Sequence, residues 1–361
     1  MNEDIISTNY HVSFKGKGYD FLKEIIKNNN YSKIFLHVDE NTKKYCLDHF
    51  LKHLNNLKII EIKSISGEEN KNINSCLKLW QVISEKGGDR SSLLINLGGG
   101  VVTDMGGFVA STFKRGIDYV NIPTTLLSMV DASVGSKTGI DFGVLKNQIG
   151  TFYDPKLVII DPHYLDTLPK KEKLSGYAEV FKHSLISNNH IFYQLIKSNN
   201  IFIDSKVIHD SISVKNNIVI KDKFEKKERK SLNYGHTLGH AIESFLLNSN
   251  KKLLHGEAIA IGIILATFLS YKLYDFSKKN LELIKNHLKN LFGNTNFEPK
   301  EIEKIIDLLK HDKKNSHGKI NFILLKEIGE PVYDVEISKD LILESFDFYL
   351  SWISTRINVS K

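Results

Sequence analysis

Two histidines with helical spacing are the first residues of this chain that could do chemistry. His236 and His240 lie in the segment 233–243, NYGHTLGHAIE, and residues three and four apart on a helix are neighbours. A helix through this segment would align Asn233, His236 and His240 along one face. Two such imidazoles can supply nitrogen ligands to a zinc-class metal, although a lone helical histidine is more often an ordinary hydrogen-bonded residue. A third histidine, His255, begins the next apolar segment.

A carboxylate that could join these histidines lies upstream, in the segment 176–184, GYAEVFKHS. Glu179 and Lys182 are three residues apart, so the simplest interpretation is an ion pair on a solvated helix face. The run around Glu179 is mostly apolar, however, which is unusual for a purely solvating carboxylate. One glutamate with two histidines would leave a position open for water or substrate, as in catalytic zinc sites.

A second kind of chemistry is indicated by glycines that follow a predicted strand, in the segment 98–107, GGGVVTDMGG. The free N–H groups of a helix that starts there can bind the phosphates of a dinucleotide. Three glycines can also form a plain tight turn, and the pattern is not Gly-x-Gly-x-x-Gly. Glu68 could bind a ribose or lie in an exposed loop, whereas Lys137 and Lys146, beside glycines, are typical of phosphate contacts.

The elements that must position these residues change character along the chain. Short apolar runs at 33–38, 57–62, 91–97, 119–122 and 157–161 alternate with helical patterns, which predicts a doubly wound parallel sheet. After residue 168 helical patterns dominate, and only 319–325 resembles a strand. We therefore predict an α/β Rossmann-like domain at 1–168 and a mainly α-helical domain at 169–361.

Composition limits the class of protein. A chain of 361 residues with 41% hydrophobic residues is an ordinary globular protein of about two domains. Cys46 and Cys76 form no paired motif, the N-terminus has no signal-peptide pattern, and the apolar run 258–269 is too short to span a bilayer. These features predict a cytoplasmic protein without a membrane partner.

The net charge of +7 comes from lysines spread along the whole chain. The densest run, 221–230, is mixed in sign, and mixed runs are usually solvated surface. A small anionic substrate therefore explains the positive charge better than a nucleic acid does.

Taken in order, these segments resemble the 3-dehydroquinate synthase family. The resemblance extends from about residue 33 to residue 329 and is carried by 123–135 (PTTLLSMVDASVG), 146–150 (KNQIG), 178–182 (AEVFK), 233–243 and 255–258 (HGEA). It implies an NAD-binding Rossmann-like domain, a helical metal-binding domain, an active site in the cleft between them, and a homodimer. The implied cofactors are NAD and one divalent metal ion, zinc or possibly cobalt.

The implied reaction converts 3-deoxy-D-arabino-heptulosonate 7-phosphate to 3-dehydroquinate and phosphate, a step of the shikimate pathway in aromatic amino acid biosynthesis. It combines NAD-dependent oxidation, phosphate elimination, reduction, ring opening and aldol closure, so NAD is not consumed. The protein would supply orientation, charge and proton transfer.

The resemblance also implies roles for individual residues. The metal ligands are Glu179, His236 and His255, so His240 serves the substrate instead. The expected catalytic residues are Asp131, Lys137, Lys182, Glu225 and His240. The expected substrate-binding residues are Arg115, which would reach the phosphate from the other subunit, and Asn147, Lys215, Arg229, Asn233 and Lys314. The residues expected to bind NAD are Asp39, Asn41, Glu68, Lys71, Gly99, Gly100, Val101, Val102, Thr103, Asp104, Thr124, Thr125, Lys137 and Lys146.

Two positions depart from the family pattern: Ser136 replaces a common glycine, and Phe224 stands where an arginine is usual. Related cyclases that make 2-deoxy-scyllo-inosose or valiolone-type rings are the nearest alternatives, but Arg229, Asn233 and His240 favour a substrate with a carboxylate. A metal-dependent alcohol dehydrogenase of the glycerol dehydrogenase type would accumulate NADH and has no reason to keep a phosphate-binding set. A non-catalytic cofactor-binding protein would be expected to have lost a ligand or a lysine.

Overall fold

The computed structural model describes residues 3–54, 57–143, 145–187, 190–198, 203–247, 249–309 and 320–357. The chain forms two compact units. The first, here called the sheet unit, comprises Met1–Lys173 and Ile208–Lys223, and the second, the helical unit, comprises Leu174–Val207 and Phe224–Lys361. The domain boundaries 1–168 and 169–361 stay a prediction; the sheet unit also includes 208–223, a segment that sequence reasoning assigned to the second half.

The strands are β1 (Ile5–Ile6), β2 (His11–Phe14), β3 (Lys33–Val38), β4 (Ile59–Lys63), β5 (Ser92–Gly98), β6 (Asp118–Pro123), β7 (Lys137–Phe142), β8 (Leu145–Phe152), β9 (Leu157–Ile160), β10 (Asn321–Leu325) and β11 (Pro331–Glu336). The helices are α1 (Lys15–Asn29), α2 (Glu40–Tyr45), α3 (Leu47–Lys52), α4 (Ile73–Glu85), α5 (Gly100–Thr112), α6 (Lys170–Ile186), α7 (Ile191–Lys197), α8 (Ser205–Lys221), α9 (His236–Leu246), α10 (His255–Tyr274), α11 (Lys278–Phe292), α12 (Pro299–Leu309) and α13 (Lys339–Ile357).

The sheet unit is built on a seven-stranded sheet with the order β1-β2-β9-β6-β5-β3-β4. All of its pairings are parallel except the pairing of β1 with β2. Every residue of β5 and β9 is buried, as expected for a parallel sheet with both faces covered. The five strands predicted in this half are all present, so the parallel-sheet prediction is confirmed; β1 and β2 were missed.

An antiparallel hairpin was also missed. Strands β7 and β8 pair from Lys137↔Phe152 to Phe142↔Leu145, in a segment that sequence reasoning treated as polar phosphate-binding loops. Ser136, immediately before β7, has a left-handed backbone with φ of 63°. That conformation costs an ordinary residue free energy and costs glycine none, which gives a physical reason for the glycine that is usual there.

The helical unit is organised around α10, of which 14 of 20 residues are buried. Helices α9 and α10 approach backbone to backbone, since a Cβ at Gly262 would lie 2.0 Å from the Gly235 carbonyl oxygen. Among the described residues α10 is the one helix long and apolar enough to cross a membrane, but 78% of its apolar window is buried within the protein, as in the core helix of a globular domain.

One local prediction is wrong. Asn233 does not share a helical face with His236 and His240, because α9 begins only at His236 and Asn233 ends a separate 3-10 turn, Glu228–Asn233. Gly235 separates the two elements with φ of 77°. A side chain at Gly235 would also lie 2.8 Å from the backbone nitrogen of Ile263, so tight packing on α10 enforces the break.

Candidate functional site

Three elements of the helical unit bring a carboxylate and two imidazoles together. Glu179 lies in α6, His236 is the first residue of α9 and His255 is the first residue of α10. The Nε2 atoms of His236 and His255 lie 3.4 and 3.5 Å from Glu179 Oε1. Ligand atoms bound tetrahedrally to zinc at 2.0–2.2 Å lie about 3.3–3.6 Å apart. The spacing therefore fits a metal site.

The outer nitrogens of both imidazoles have acceptors. His236 Nδ1 lies 3.1 Å from the Tyr234 carbonyl oxygen, and His255 Nδ1 lies 3.2 Å from Glu243 Oε2. Since a carbonyl oxygen can only accept, Nδ1 of His236 carries a proton, and its Nε2 faces Glu179. Metal-bound histidines are oriented in this way by a carbonyl or a carboxylate behind the ring. Sequence reasoning assigned no role to Tyr234 or Glu243.

Glu179 is fully buried, and its two oxygens differ. Oε2 accepts a hydrogen bond from the Lys182 ammonium, whereas Oε1 accepts no hydrogen bond from the described residues. Burial alone would raise the pKa of Glu179, but Lys182 and His236 hold it well below its ordinary value. A buried anionic oxygen without a donor is costly unless a cation meets it. This orphan oxygen is the observation that best supports a bound metal.

The pKa values of the two histidines shift in opposite directions. Burial and the nearby Lys182 ammonium lower the pKa of His236. Burial opposes the proton on His255 too, but the neighbouring carboxylates of Glu179 and Glu243 raise its pKa to about 10. The cluster thus accommodates a positive charge between carboxylates, and metal binding would release that proton.

His240 also belongs to the neighbourhood of the cluster. Its ring centroid lies 5.0 Å from that of His236 and 5.7 Å from that of His255. Nitrogen atoms of the three rings lie within 4.8 Å of one another, so three histidines could also chelate an ion. The assignment of His240 to the substrate stays a prediction.

Other predicted site residues of the helical unit form a polar group beside α9. The amide of Asn233 donates a hydrogen bond to Glu225 Oε1, and Arg229 is 2% exposed. Glu225 has a positive φ of 59°, a strained conformation of a kind that clusters at active sites. The structure thus pairs Glu225 with Asn233. Lys314 lies outside the described residues.

In the sheet unit, the predicted NAD-binding residues follow the carboxyl ends of neighbouring strands. Asp39 follows β3, the turn at Gly99 follows β5, and Thr124 follows β6. This edge of an open parallel sheet is where such folds bind ligands. Asp39 accepts a hydrogen bond of 2.7 Å from the Thr42 N–H and caps α2. Asn41 is exposed and Glu68 is half-buried, and Lys146 Nζ lies 3.8 Å from Glu68 Oε1.

Helix α5 begins directly after β5, with Gly99 as its N-cap and no acidic residue in its first turn. A Cβ at Gly98 would lie 2.4 Å from Val102 Cβ, and one at Gly99 would lie 3.0 Å from Thr125 Cγ2. The chain therefore turns too tightly for a side chain at Gly98. The free N–H groups of this helix start suit a phosphate, whose charge the helix dipole favours.

Two lysine side chains of the sheet unit are hydrogen-bonded to neighbouring carboxylates. Lys71 is buried, and its Nζ donates hydrogen bonds of 2.6 Å to Asp104 Oδ2 and 2.7 Å to Asn147 Oδ1. Burial opposes its charge, but Asp104 and Glu68 outweigh it and raise the pKa of Lys71.

Lys215, on α8, donates bonds of 2.6 Å to both the carbonyl oxygen and Oδ1 of Asp131. Arg115 and Lys137 are exposed. Sequence reasoning named Lys71, Asp104, Asn147, Asp131 and Lys215 singly and did not foresee that they bond to one another.

Comparison with known proteins decides the family. The 3-dehydroquinate synthase N-terminal family model matches residues 61–175, and the C-terminal family model matches residues 176–315. The 3-dehydroquinate synthase of Parabacteroides distasonis is 41% identical over 335 residues, which cover 91% of this chain and 94% of the relative. The chain belongs to the 3-dehydroquinate synthase family.

Two solved structures share the fold of this chain. A 2-deoxy-scyllo-inosose synthase complexed with carbaglucose-6-phosphate, NAD+ and Co2+ superposes with a TM-score of 0.83 at 23% identity, over 96% of this chain and 99% of that one. The 2-epi-5-epi-valiolone synthase of Streptomyces hygroscopicus, with NAD+ and Zn2+ bound, gives a TM-score of 0.81 at 21% identity, over 97% and 99%. The predicted fold class is confirmed.

Proposed function

We propose that this protein is an enzyme that converts 3-deoxy-D-arabino-heptulosonate 7-phosphate to 3-dehydroquinate and phosphate, using NAD and one divalent metal ion, zinc or cobalt. The observation that carries this proposal is the 41% identity to a 3-dehydroquinate synthase over nine-tenths of both chains. The protein would then act as a phosphate-eliminating lyase of the shikimate pathway, in the cytoplasm.

The metal ligands in this proposal are Glu179, His236 and His255. Support comes from the orphan oxygen of Glu179, from the two Nε2 atoms that face it, and from the acceptors behind both rings. A divalent ion bound there supplies a Lewis acid that lowers the pKa of a substrate hydroxyl. Glu243 and Tyr234 would fix the orientation of the two rings.

The substrate-binding groups act through charge and hydrogen bonds. Arg229 would hold the substrate carboxylate through two parallel N–H bonds, which its planar guanidinium favours. Lys182, beside Glu179, and His240, beside His236, would meet the phosphate and hydroxyl side, together with Lys137 and Asn147. Glu225 orients Asn233, and Asp131 orients Lys215. These pairs would take part in substrate binding and proton relay.

The NAD-binding residues in this proposal belong to the sheet unit. The pyrophosphate would bind the first N–H groups of α5, within residues 99–104; the first turn of this helix has no acidic side chain. Asp39, Asn41, Glu68, Lys71, Thr124, Thr125, Lys137 and Lys146 would surround the rest of the cofactor. When bound, NAD takes up and returns a hydride, and the protein supplies its position.

The proposed assembly is the homodimer that the family resemblance implies. We propose a homodimer in which Arg115 reaches the phosphate of the neighbouring active site. Its exposed position and its φ of 70° are compatible with a residue held out toward a partner. The small anionic sugar phosphate is the substrate, and no nucleic acid or membrane is involved.

The experiment that tests this function measures phosphate release from the heptulosonate phosphate with NAD well below the substrate concentration. Many turnovers per NAD, with dehydroquinate as product, are expected. A requirement for stoichiometric NAD, or NADH that accumulates, would instead indicate an alcohol dehydrogenase. Glucose 6-phosphate, which has no carboxylate, serves as the control substrate and should release no phosphate; release from it alone would favour an inosose-type cyclase.

A further inference from the structure

A second group of potential metal ligands lies in the sheet unit. His49, in α3, and His53, which caps its C-terminus, are one helical turn apart, and Asp161 follows β9. One ligand atom from each of the three lies within 4.8 Å of the other two. None of these residues has a role in the proposed reaction, and all belong to one compact unit.

The carboxylate of Asp161 is fixed from several directions. It is 5% exposed, its Oδ1 accepts the His163 N–H at 3.2 Å, and its Oδ2 accepts the Tyr19 hydroxyl at 3.2 Å. His49 Nε2 lies 2.8 Å from the same Oδ2. Hydrogen bonds of this kind, to a carboxylate from the surrounding protein, orient metal ligands. The aspartate is therefore held in place before any ion binds.

His53 offers a free nitrogen. Its ring stacks on the Tyr19 ring, with centroids 3.9 Å apart and planes within 2° of parallel. No hydrogen bond among the described residues uses its ring nitrogens. An imidazole held flat by stacking, with an unshared lone pair, is suited to bind a metal.

Space for an ion and its water is available beside these residues. His49, His53, Asp161 and a third histidine, His163, line an open cavity of about 480 Å³. The ring centroid of His163 lies 4.1 Å from that of His49. His163 is largely exposed and could add a ligand by a side-chain rotation, or water could complete the coordination.

We propose that His49, His53 and Asp161 form a second metal site, specific for divalent transition ions of the zinc class. Two imidazoles and one carboxylate suit zinc, nickel or copper, whereas magnesium and calcium prefer all-oxygen sites. The ion would tie α3 to the end of β9 and so stabilise this part of the sheet unit.

The test is a stoichiometric titration of metal-stripped protein with Zn²⁺, followed by equilibrium dialysis and metal analysis. Wild-type protein is expected to bind two equivalents per chain, and His53→Ala one. His255→Ala should also bind one, and the double variant none. Loss of one ligand should weaken the second site at least about tenfold, since even an outer-shell change costs that much. Added Zn²⁺ should raise the Tm of His255→Ala and leave that of the double variant unchanged.

The matched control is His11→Ala, which removes an exposed histidine of the sheet unit. His11 begins β2, whereas the other end of β2, at Phe14, pairs with Ile160, the residue before Asp161. This variant should still bind two equivalents of Zn²⁺ per chain. Unchanged stoichiometry and affinity in His53→Ala would overturn the second site. An error in the assignment of the catalytic metal ligands would give a different result, because His255→Ala would then still bind two equivalents of Zn²⁺. If His53→Ala does not fold, as judged by its metal-free melting curve, His53→Gln replaces it with the same expected loss.

Discussion

Two regions of the molecule hold their polar groups in opposite ways. One is the metal cluster of the helical unit (Glu179, His236 and His255). The other is the dinucleotide edge of the sheet unit, which consists of the predicted NAD-binding residues after β3, β5 and β6 together with Lys71. In the metal cluster the hydrogen bonds of His236 and His255 point outward, to Tyr234 and Glu243, and leave Glu179 Oε1 without a donor. At the dinucleotide edge the charges already bond to one another, as Lys71 does with Asp104. The first arrangement presents its ligand atoms directly to a cation, whereas the second must exchange internal bonds for ligand bonds.

This difference has an energetic consequence. A preformed cluster of ligands binds an ion with little rearrangement of its side chains, and loss of any member leaves the others uncompensated. Groups that hold each other in the free protein lose part of their binding energy in breaking those contacts. Changes in the metal cluster should therefore have larger effects than changes at the dinucleotide edge.

The largest effect is expected from His255→Ala. The variant should lose the active-site equivalent of metal, and turnover should fall about a thousandfold or more, since a Lewis acid contributes several kcal/mol. His240→Ala is the matched comparison, because it removes the neighbouring ring; it should keep the metal with little turnover. Metal analysis measures the metal content of the two variants, and phosphate release measures their turnover. Equal metal loss in the two variants would contradict the ligand assignment.

A smaller effect on the same cluster is expected from Glu243→Gln. This change keeps an acceptor near His255 Nδ1 but removes the charge behind the ring, so metal affinity should fall about 10–100-fold. Competition with a chromophoric chelator measures the affinity. The control is Glu327→Gln, an exposed residue of the same unit. If both variants bind metal as tightly as the wild type, Glu243 has no part in orienting His255.

At the dinucleotide edge, Lys71→Met should raise the KM for NAD about 10–100-fold, the worth of one charged hydrogen bond, and leave the metal content unchanged. Steady-state kinetics with varied NAD measure the effect. Lys78→Met, which changes an exposed lysine of α4, is the control and should behave as wild type. Metal loss in Lys71→Met would show that the two regions do not act independently.

The smallest effect is expected at Ser136, whose hydroxyl donates to Asp154. Ser136→Gly relieves about 1 kcal/mol of left-handed strain but removes a hydrogen bond of about 1 kcal/mol, so the free energy of unfolding should hardly change. Ser136→Ala keeps the strain and loses the bond, and should be about 1 kcal/mol less stable. Denaturant unfolding measures both. A glycine variant less stable than the alanine variant would refute the account of this position.

The sequence was most informative where a pattern extends over several residues. The β-branched runs at 33–38 and 157–161 predicted buried strands because burial on both faces requires apolar residues throughout. The start of α10 at His255 was predicted for a similar reason, since a long apolar segment follows it. The family resemblance added the choice of His236 and His255 as the partners of Glu179, and it assigned His240 to the substrate.

The sequence was least informative where a single backbone angle, or a contact between residues far apart in the chain, determines the local structure. The break at Gly235 was missed because a glycine in a helical pattern does not reveal its φ, which packing on α10 imposes. The β7–β8 hairpin was missed because its small polar residues carry no alternating pattern. The bonds of Lys71 to Asp104 and Asn147 join residues 33 and 76 positions apart, and spacing along the chain cannot predict them.

The most direct test of the metal cluster is anomalous diffraction at the zinc edge from crystals of the zinc-loaded protein. We expect a peak about 2.0–2.2 Å from Glu179 Oε1, His236 Nε2 and His255 Nε2, with His240 outside this coordination shell. A peak bound by His236, His240 and His255, with Glu179 still paired only to Lys182, would contradict the account.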